Sequence, residues 1–180
     1  MSYAPALLQD FHITEYTPSF RTQLWNLFVS GMSQNDEAAK DDGMRRAIST
    51  LIDNARLEVA RVGSLSCPKN GGKTFLALDR SKQVIGMLAV KRSEEDIRDR
   101  SVELRRISVA HQWRRRGVCR ALVDHAVEYI KATFDSQWMH LVTYSSMGPA
   151  LCTYKSLGFK AQGDDSSDGP LRLVKLVRKI

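Results

Sequence analysis

Cysteine is scarce: Cys67, Cys119 and Cys152 are the three in 180 residues. They show neither C-x-x-C spacing nor neighbouring histidines, which argues against a disulfide framework and against a zinc or other metal site. Free thiols are the expectation. No run approaches the roughly 18 consecutive apolar residues of a membrane span, and the N-terminus has no basic segment followed by an apolar one. The reading is therefore a cytoplasmic, soluble protein with no membrane partner. Internal repeats and long biased segments are also missing, which excludes a solenoid and a disordered tail. One absence is local. Between Leu104 and Val123 there is no acidic residue, while Arg105, Arg106, Arg114, Arg115, Arg116 and Arg120 all fall there. Nearly the whole formal net charge of +7 thus sits on one feature.

The rest is ordinary: 43% hydrophobic, 26% charged, and a length that fits one domain, residues 1–180, able to bury a core. The arginine-rich stretch reads as strand, turn and helix in succession. Val102 and Leu104 alternate as a strand should, but Ile107 and Val109 continue the apolar series one residue out of phase, with Arg105 and Arg106 at the break. A β-bulge there explains the slip. Cys119, Leu122, Val123, Ala126, Val127, Ile130 and Phe134 recur at the spacing of one buried helix face. Between strand and helix, Arg114, Arg115, Arg116 and Gly117 stand where the first helical N–H groups have no partner, an arrangement that attracts anions. A polyphosphate is the implied guest; a solvated surface or a nucleic-acid contact would use the same charges.

Along the remainder, residues 11–16 predict a strand, and Thr17 and Pro18 a capped helix start. Phe20, Leu24, Leu27 and Phe28 mark that helix's face. A polar loop over 31–43 leads to a second helix carrying Met44, Ala47, Ile48, Leu51, Ile52 and Ala55. Residues 61–73 read as a flexible connection, and 91–100 as a charged turn. Residues 75–78 and 84–90 predict a hairpin covered on both faces. Residues 138–143 predict a buried strand, Ser146 a helix cap, Gly158 a helix stop, and 159–161 and 171–177 the last strands. The expected fold is α+β, with a mixed, mostly antiparallel sheet of six or seven strands, about four helices and a bulged central strand.

Two motifs give this pattern a relative. Arg114, Arg115, Arg116, Gly117, Val118 and Cys119 resemble the pyrophosphate loop of the GNAT superfamily of acetyl-CoA-dependent N-acetyltransferases. Cys119 stands where that family has a small residue. About 30 residues on, Ala150, Tyr154, Gly158 and Phe159 reproduce the form A-x-x-x-Y-x-x-x-G-F that closes a helix in many members. The resemblance implies that the central strand and the strand after the central helix splay apart. The pantetheine arm of acetyl-CoA would then pair with the main chain of Ile107, Ser108 and Val109, and its phosphates would lie against Arg114, Arg115, Arg116, Gly117, Val118, Cys119 and Arg120. It implies Glu103 as the general base for an amine acceptor and Tyr154 as the acid that protonates the departing thiolate. Met147 stands where many members have an asparagine.

Within the superfamily, the stretches FHITEY, LFVSGM and LRRISVAHQWRRRGVCRALVDHAVEYI are similar to the N-acetyltransferase-8-like group. The long apolar segment of that group's membrane-bound members is replaced here by Arg45, Arg46, Asp53, Arg56, Glu58 and Arg61. His12, His111, His125 and His140 are scattered and read as structural. The acceptor is expected to be a small-molecule or peptide amine, cationic if the acidic loops (Asp36, Glu37, Asp41 and Asp42; Asp164, Asp165 and Asp168) flank its entrance, as the resemblance implies. The protein is expected to be a monomer or homodimer that binds no nucleic acid. Two other readings stand beside this one: a non-catalytic acetyl-CoA-binding protein of the same shape, and a basic nucleic-acid-binding protein.

Overall fold

A computed structural model describes residues 10–33, 42–62, 71–92, 96, 98–162 and 172–180. In chain order these form β1 (Phe11–Glu15), α1 (Arg21–Ser33), α2 (Asp42–Val62), β2 (Lys73–Asp79), β3 (Val84–Lys91), β4 (Ser101–Val109), α3 (Val118–Thr133), β5 (Trp138–Tyr144), α4 (Gly148–Ser156), β6 (Lys160–Ala161) and β7 (Leu173–Lys179). All seven strands join one sheet in the order β1-β2-β3-β4-β5-β7-β6. Neighbours are antiparallel except β4 and β5, which run parallel. The expected α+β architecture is the one observed. The acidic segments 34–41 and 163–169 and Cys67 lie outside the described residues, apart from Asp42 at the start of α2.

The sheet is covered on both sides, since β2 and β3 are buried at every position but their ends. Phe75, Ala77, Leu88 and Val90 pack with Leu122, Val123, Ala126 and Ile130 of α3. Leu76, Leu78 and Met87 point the other way, onto Leu24, Leu27 and Phe28 of α1 and Ala55 of α2. The turn between β2 and β3 is held by Asp79, whose Oδ1 accepts from the N–H of Ser81 (2.8 Å) and of Gln83 (2.9 Å). At the end of α4 the Gly158 N–H donates to Lys155 O (3.0 Å) and the Phe159 N–H to Tyr154 O (3.1 Å), with Gly158 at φ 87°. This is the left-handed stop expected of that glycine.

Several local readings are corrected. The Thr17 hydroxyl does not cap the first helix; it shares a hydrogen with Ser19 Oγ (2.7 Å), and Pro18 opens a single 3-10 turn before α1. Helix α1 runs on to Ser33, past the loop boundary expected at residue 31. The N-cap of α4 is Met147, not Ser146, with Pro149 in the first turn. In β5, Trp138 and Val142 are exposed, so the expected buried strand is buried at Met139, His140, Leu141 and Thr143 and not along its whole length. On α3 the first fully buried side chain is Val118, and Cys119 is a partly buried neighbour of the core.

The bulge is where the phase slip puts it. Met87 pairs with Ser108 and Ala89 with Arg105, so two steps along β3 match three along β4. Arg106 takes up the extra residue at φ 53°. Val102 and Leu104 before it, and Ile107 and Val109 after it, thereby reach the same apolar cluster. The positive φ of a non-glycine residue is a local cost that the flanking ladder holds in place.

Candidate active site

The bulge has a consequence for the neighbouring strand. Strands β4 and β5 pair only at Ser101–Trp138, Val102–Met139 and Glu103–His140. Beyond that point β4 continues to Val109 along β3, and β5 continues to Tyr144 along β7. The two facing edges therefore carry main-chain groups with no ladder partner in each other, a ready template for an extended guest. The side chains of Ile107 and Val109 are occupied in the core, and Ser108 Oγ donates to Leu27 O on α1 (3.5 Å). What these three residues present to the gap is their backbone.

The arginine turn lies at the open end of the gap. Gly117 adopts φ 82° as the residue before α3, and a Cβ there would meet nothing within 4 Å. Glycine is required for the backbone conformation rather than for space. The first bond of α3 runs from the Ala121 N–H to Gly117 O (3.0 Å), so the N–H groups of Val118, Cys119 and Arg120 precede it. Arg114, Arg115, Arg116 and Arg120 are exposed. Arg114 Nε donates to Val109 O (3.3 Å) and ties the loop to the bulged strand. Arg116 lies 5.2 Å from the centre of the Trp113 ring. Arg120 Nη2 donates to Ser156 O (3.4 Å), joining the start of α3 to the end of α4.

That last bond brings Tyr154 and Cys119 together. The Tyr154 ring stacks edge-on to Phe159 at 6.2 Å and packs against the core while remaining partly exposed. Burial raises the phenol well above its ordinary range, and nearby Cys119 adds in the same direction. Tyr154 therefore stays protonated near neutral pH and can donate but not abstract a proton. Burial also pushes the Cys119 thiol up to about 11, against the opposing pull of Arg120. Cys119 is a packing residue, not a thiolate.

Glu103 sits at the closed end of the gap, half-buried, with Lys91 Nζ at 3.8 Å and Arg105 Nε at 3.5 Å. Its ladder partner His140 is buried, with Nε2 3.7 Å from Asp96 Oδ1 and Nδ1 without a hydrogen-bond partner among the described residues. Burial lowers the His140 pKa despite the opposing pull of Asp96. The sequence reading takes all four histidines as structural; the structure places His12, His111 and His125 at the surface and encloses His140. Its position inside an apolar strand is the one signal that separates it from the others.

Comparison with known proteins decides the family. A sequence profile described as the acetyltransferase (GNAT) domain matches residues 70–161, just over half of the chain. The chain belongs to the GNAT acetyltransferase family. Curated proteins give no sequence match to it. Among solved structures, a GNAT-family acetyltransferase of Staphylococcus aureus Mu50 superposes with TM-score 0.70 at 19% identity, over 94% of this chain and 98% of that one. An acetyltransferase of Streptococcus agalactiae 2603 gives 0.68 at 21%, over 96% and 100%. A dodecameric spermidine N-acetyltransferase of Vibrio cholerae gives 0.59 at 15%, over 94% of both. At these identities the likeness is one of fold.

In this GNAT chain the residues singled out by sequence fall into two groups. Arg114 to Arg120, Cys119 and Tyr154 meet where α3 begins and α4 ends. Glu103 stands apart from them, at the last β4–β5 pair, with His140 and Asp96 as unanticipated neighbours. A depression of about 450 Å³ lined by Asp124, His125, Glu128 and Lys131 along α3 includes none of these residues.

Proposed function

We propose that the chain transfers the acetyl group of acetyl-CoA to a primary amine by direct attack, without an acyl-enzyme. The observation that carries this is the parting of β4 and β5 beside an arginine-rich helix start. The gap offers main-chain partners for an amide-bearing arm, and the turn offers exposed cations and free N–H groups for its phosphates. The residues present fit acetyl-CoA: Ile107, Ser108 and Val109 through their backbone, and Arg114, Arg115, Arg116, Gly117, Val118, Cys119 and Arg120 through the turn. Cys119 departs from the family pattern, yet its packing against the core keeps its side chain from crowding the phosphates.

Acetyl-CoA supplies an activated thioester; the protein supplies proton traffic and orientation. Glu103, flanked by Lys91 and Arg105, draws a proton from an ammonium acceptor. Tyr154, held protonated by burial, gives its proton to the departing thiolate. Main-chain N–H groups past the bulge polarise the thioester carbonyl. We infer a cationic acceptor from the acidic segments of the sequence, and three structural neighbours are spermidine or spermidine/spermine N-acetyltransferases by name. Membership of the N-acetyltransferase-8-like group rests on its three similar stretches alone.

Against nucleic acid, Trp113 already carries Arg116 over its ring and Phe11 edge-on at 6.3 Å, so it is a poor stacking platform. The non-catalytic reading is favoured by one observation: both cations near Glu103 compete for its carboxylate.

One experiment separates the three. Coenzyme A and acetyl-CoA are expected to raise the melting temperature, Arg114→Glu with Arg116→Glu to abolish that shift, and spermidine or a lysine-rich peptide to release coenzyme A faster than an S-substituted cysteine. Tyr154→Phe is expected to lower turnover by roughly 10² to 10⁴ with the shift intact. A shift without coenzyme A release supports the binder, and stronger stabilisation by duplex DNA the third reading.

A further inference from the structure

The closed end of the gap holds a group that the roles assigned above do not use. In a parallel pair, matched residues project from the same face of the sheet, so Glu103 and His140 stand side by side. His140 is 9% exposed and Asp96 8%. Asp96 Oδ1 faces Nε2 at 3.7 Å and accepts from Ser101 Oγ at 3.4 Å, which fixes the carboxylate from the β4 side. The Nδ1 atom is buried and has no hydrogen-bond partner among the described residues. A buried polar atom left without a partner is uncommon in folded proteins and calls for an explanation.

We propose that His140, oriented by Asp96, receives the proton that Glu103 takes from the acceptor amine, as a positioning residue of the acetyl-transfer site. This rests on the acetyltransferase reading above. Asp96 favours the tautomer with hydrogen on Nε2, which leaves the Nδ1 lone pair open. The charged groups acting on the ring are Asp96 and Asp99 from the segment before β4, Glu103 on β4 and Lys175 on β7. Lys91 and Arg105 act through Glu103. Burial and Lys175 keep the ring neutral near pH 7, the form that can accept a proton.

The protons balance. An ammonium acceptor loses two protons on becoming an amide. The first passes from nitrogen to the Glu103 carboxylate and on to His140 Nδ1; once the amide has left, it returns from Nδ1 through the partly exposed Glu103 to solvent, restoring both groups to their starting forms. The second is released as the C–N bond forms and the C–S bond breaks; it offsets the proton that Tyr154 donates to the thiolate and restores the phenol. No other reactant is required.

The test compares wild type with His140→Gln and Asp96→Asn under saturating acetyl-CoA. The expected result is a kcat lowered tenfold or more in His140→Gln, with KM for acetyl-CoA within twofold. The acid limb of its kcat profile should lose the histidine ionisation, and Asp96→Asn should displace that limb. An unmoved limb in both variants, or a loss confined to melting temperature, overturns the relay. Nitrogen-15 NMR of the wild type reads the same question without a variant. Unprotonated Nδ1 and protonated Nε2 at pH 7.5 are expected; the reverse tautomer, or an imidazolium at that pH, refutes the assignment. A wild type that releases no coenzyme A with any acceptor sinks the acetyltransferase reading itself, whereas an active wild type with unchanged variants sinks only His140.

Discussion

Cys119 and Cys152 carry the same thiol and differ in surroundings. Cys152 is exposed on α4, while Cys119 is partly buried and its pKa is pushed up to about 11. Alkylation at pH 7.5 followed by peptide mass mapping should label Cys152 at least tenfold faster, since the thiolate is the reactive form; comparable rates would contradict the burial of Cys119. A second residue-scale consequence concerns acid. His140 has a folded-state pKa below its unfolded value near 6.5. The unfolded chain therefore binds a proton first as pH falls, so stability is full above about 6.5 and declines through the window down to the folded pKa. Urea midpoints between pH 7.5 and 5 should fall for wild type and fall less for His140→Gln. Tyr154 and the arginine turn are legible in sequence because each belongs to a contiguous motif. The enclosure of His140 is not, because it depends on Asp96, far away in sequence, and on the packing of β5 beside β4 and β7.

At the scale of elements, the bulge and the close approach of α1 belong together. A Cβ on Gly31 would collide with Ser108 Oγ, while Ser108 Cβ would stay at an ordinary 3.4 Å. Glycine at this point of α1 lets the helix lie directly on the bulged segment. Gly31→Ala gains helix propensity but forces that contact, and overpacking of this kind costs about 1–3 kcal/mol. Ser108→Ala removes the colliding atom, so the double variant should recover most of the loss. A double-mutant cycle in urea that gives strictly additive effects would refute the contact. The phase slip between Leu104 and Ile107 made the bulge readable from residue order alone. Helix ends were less readable: Thr17 and Ser146 are capping residue types at the right places, yet Pro18 and Pro149 set the helix starts without them.

For the whole molecule, the sheet contains a three-residue parallel ladder between two antiparallel sets. Strands β1 to β4 hydrogen-bond consecutively on one side, and β5, β7 and β6 on the other; among the described residues, Ser101, Val102 and Glu103 with Trp138, Met139 and His140 form the ladder that joins the two, extended by Arg100 O accepting from the Gln137 N–H (2.8 Å). Side chains reinforce that seam from one face, where Val102, Leu104, Met139, Leu141 and Ile130 share a cluster. Opening of the seam is thus the cheapest way to separate the sheet, and its amides should exchange with deuterium faster than those of β2 or β3, which are laddered on both edges. In the proposed binding mode, coenzyme A lying along the divergent edges would act as an eighth strand, closing a zipper that the protein leaves undone. Adding coenzyme A should slow exchange at residues 101–109 and 138–144 together while leaving β1 and β2 unchanged. The ligand then serves as a structural member of the sheet for as long as it stays, and product departure becomes, in mechanical terms, the unzipping of a strand.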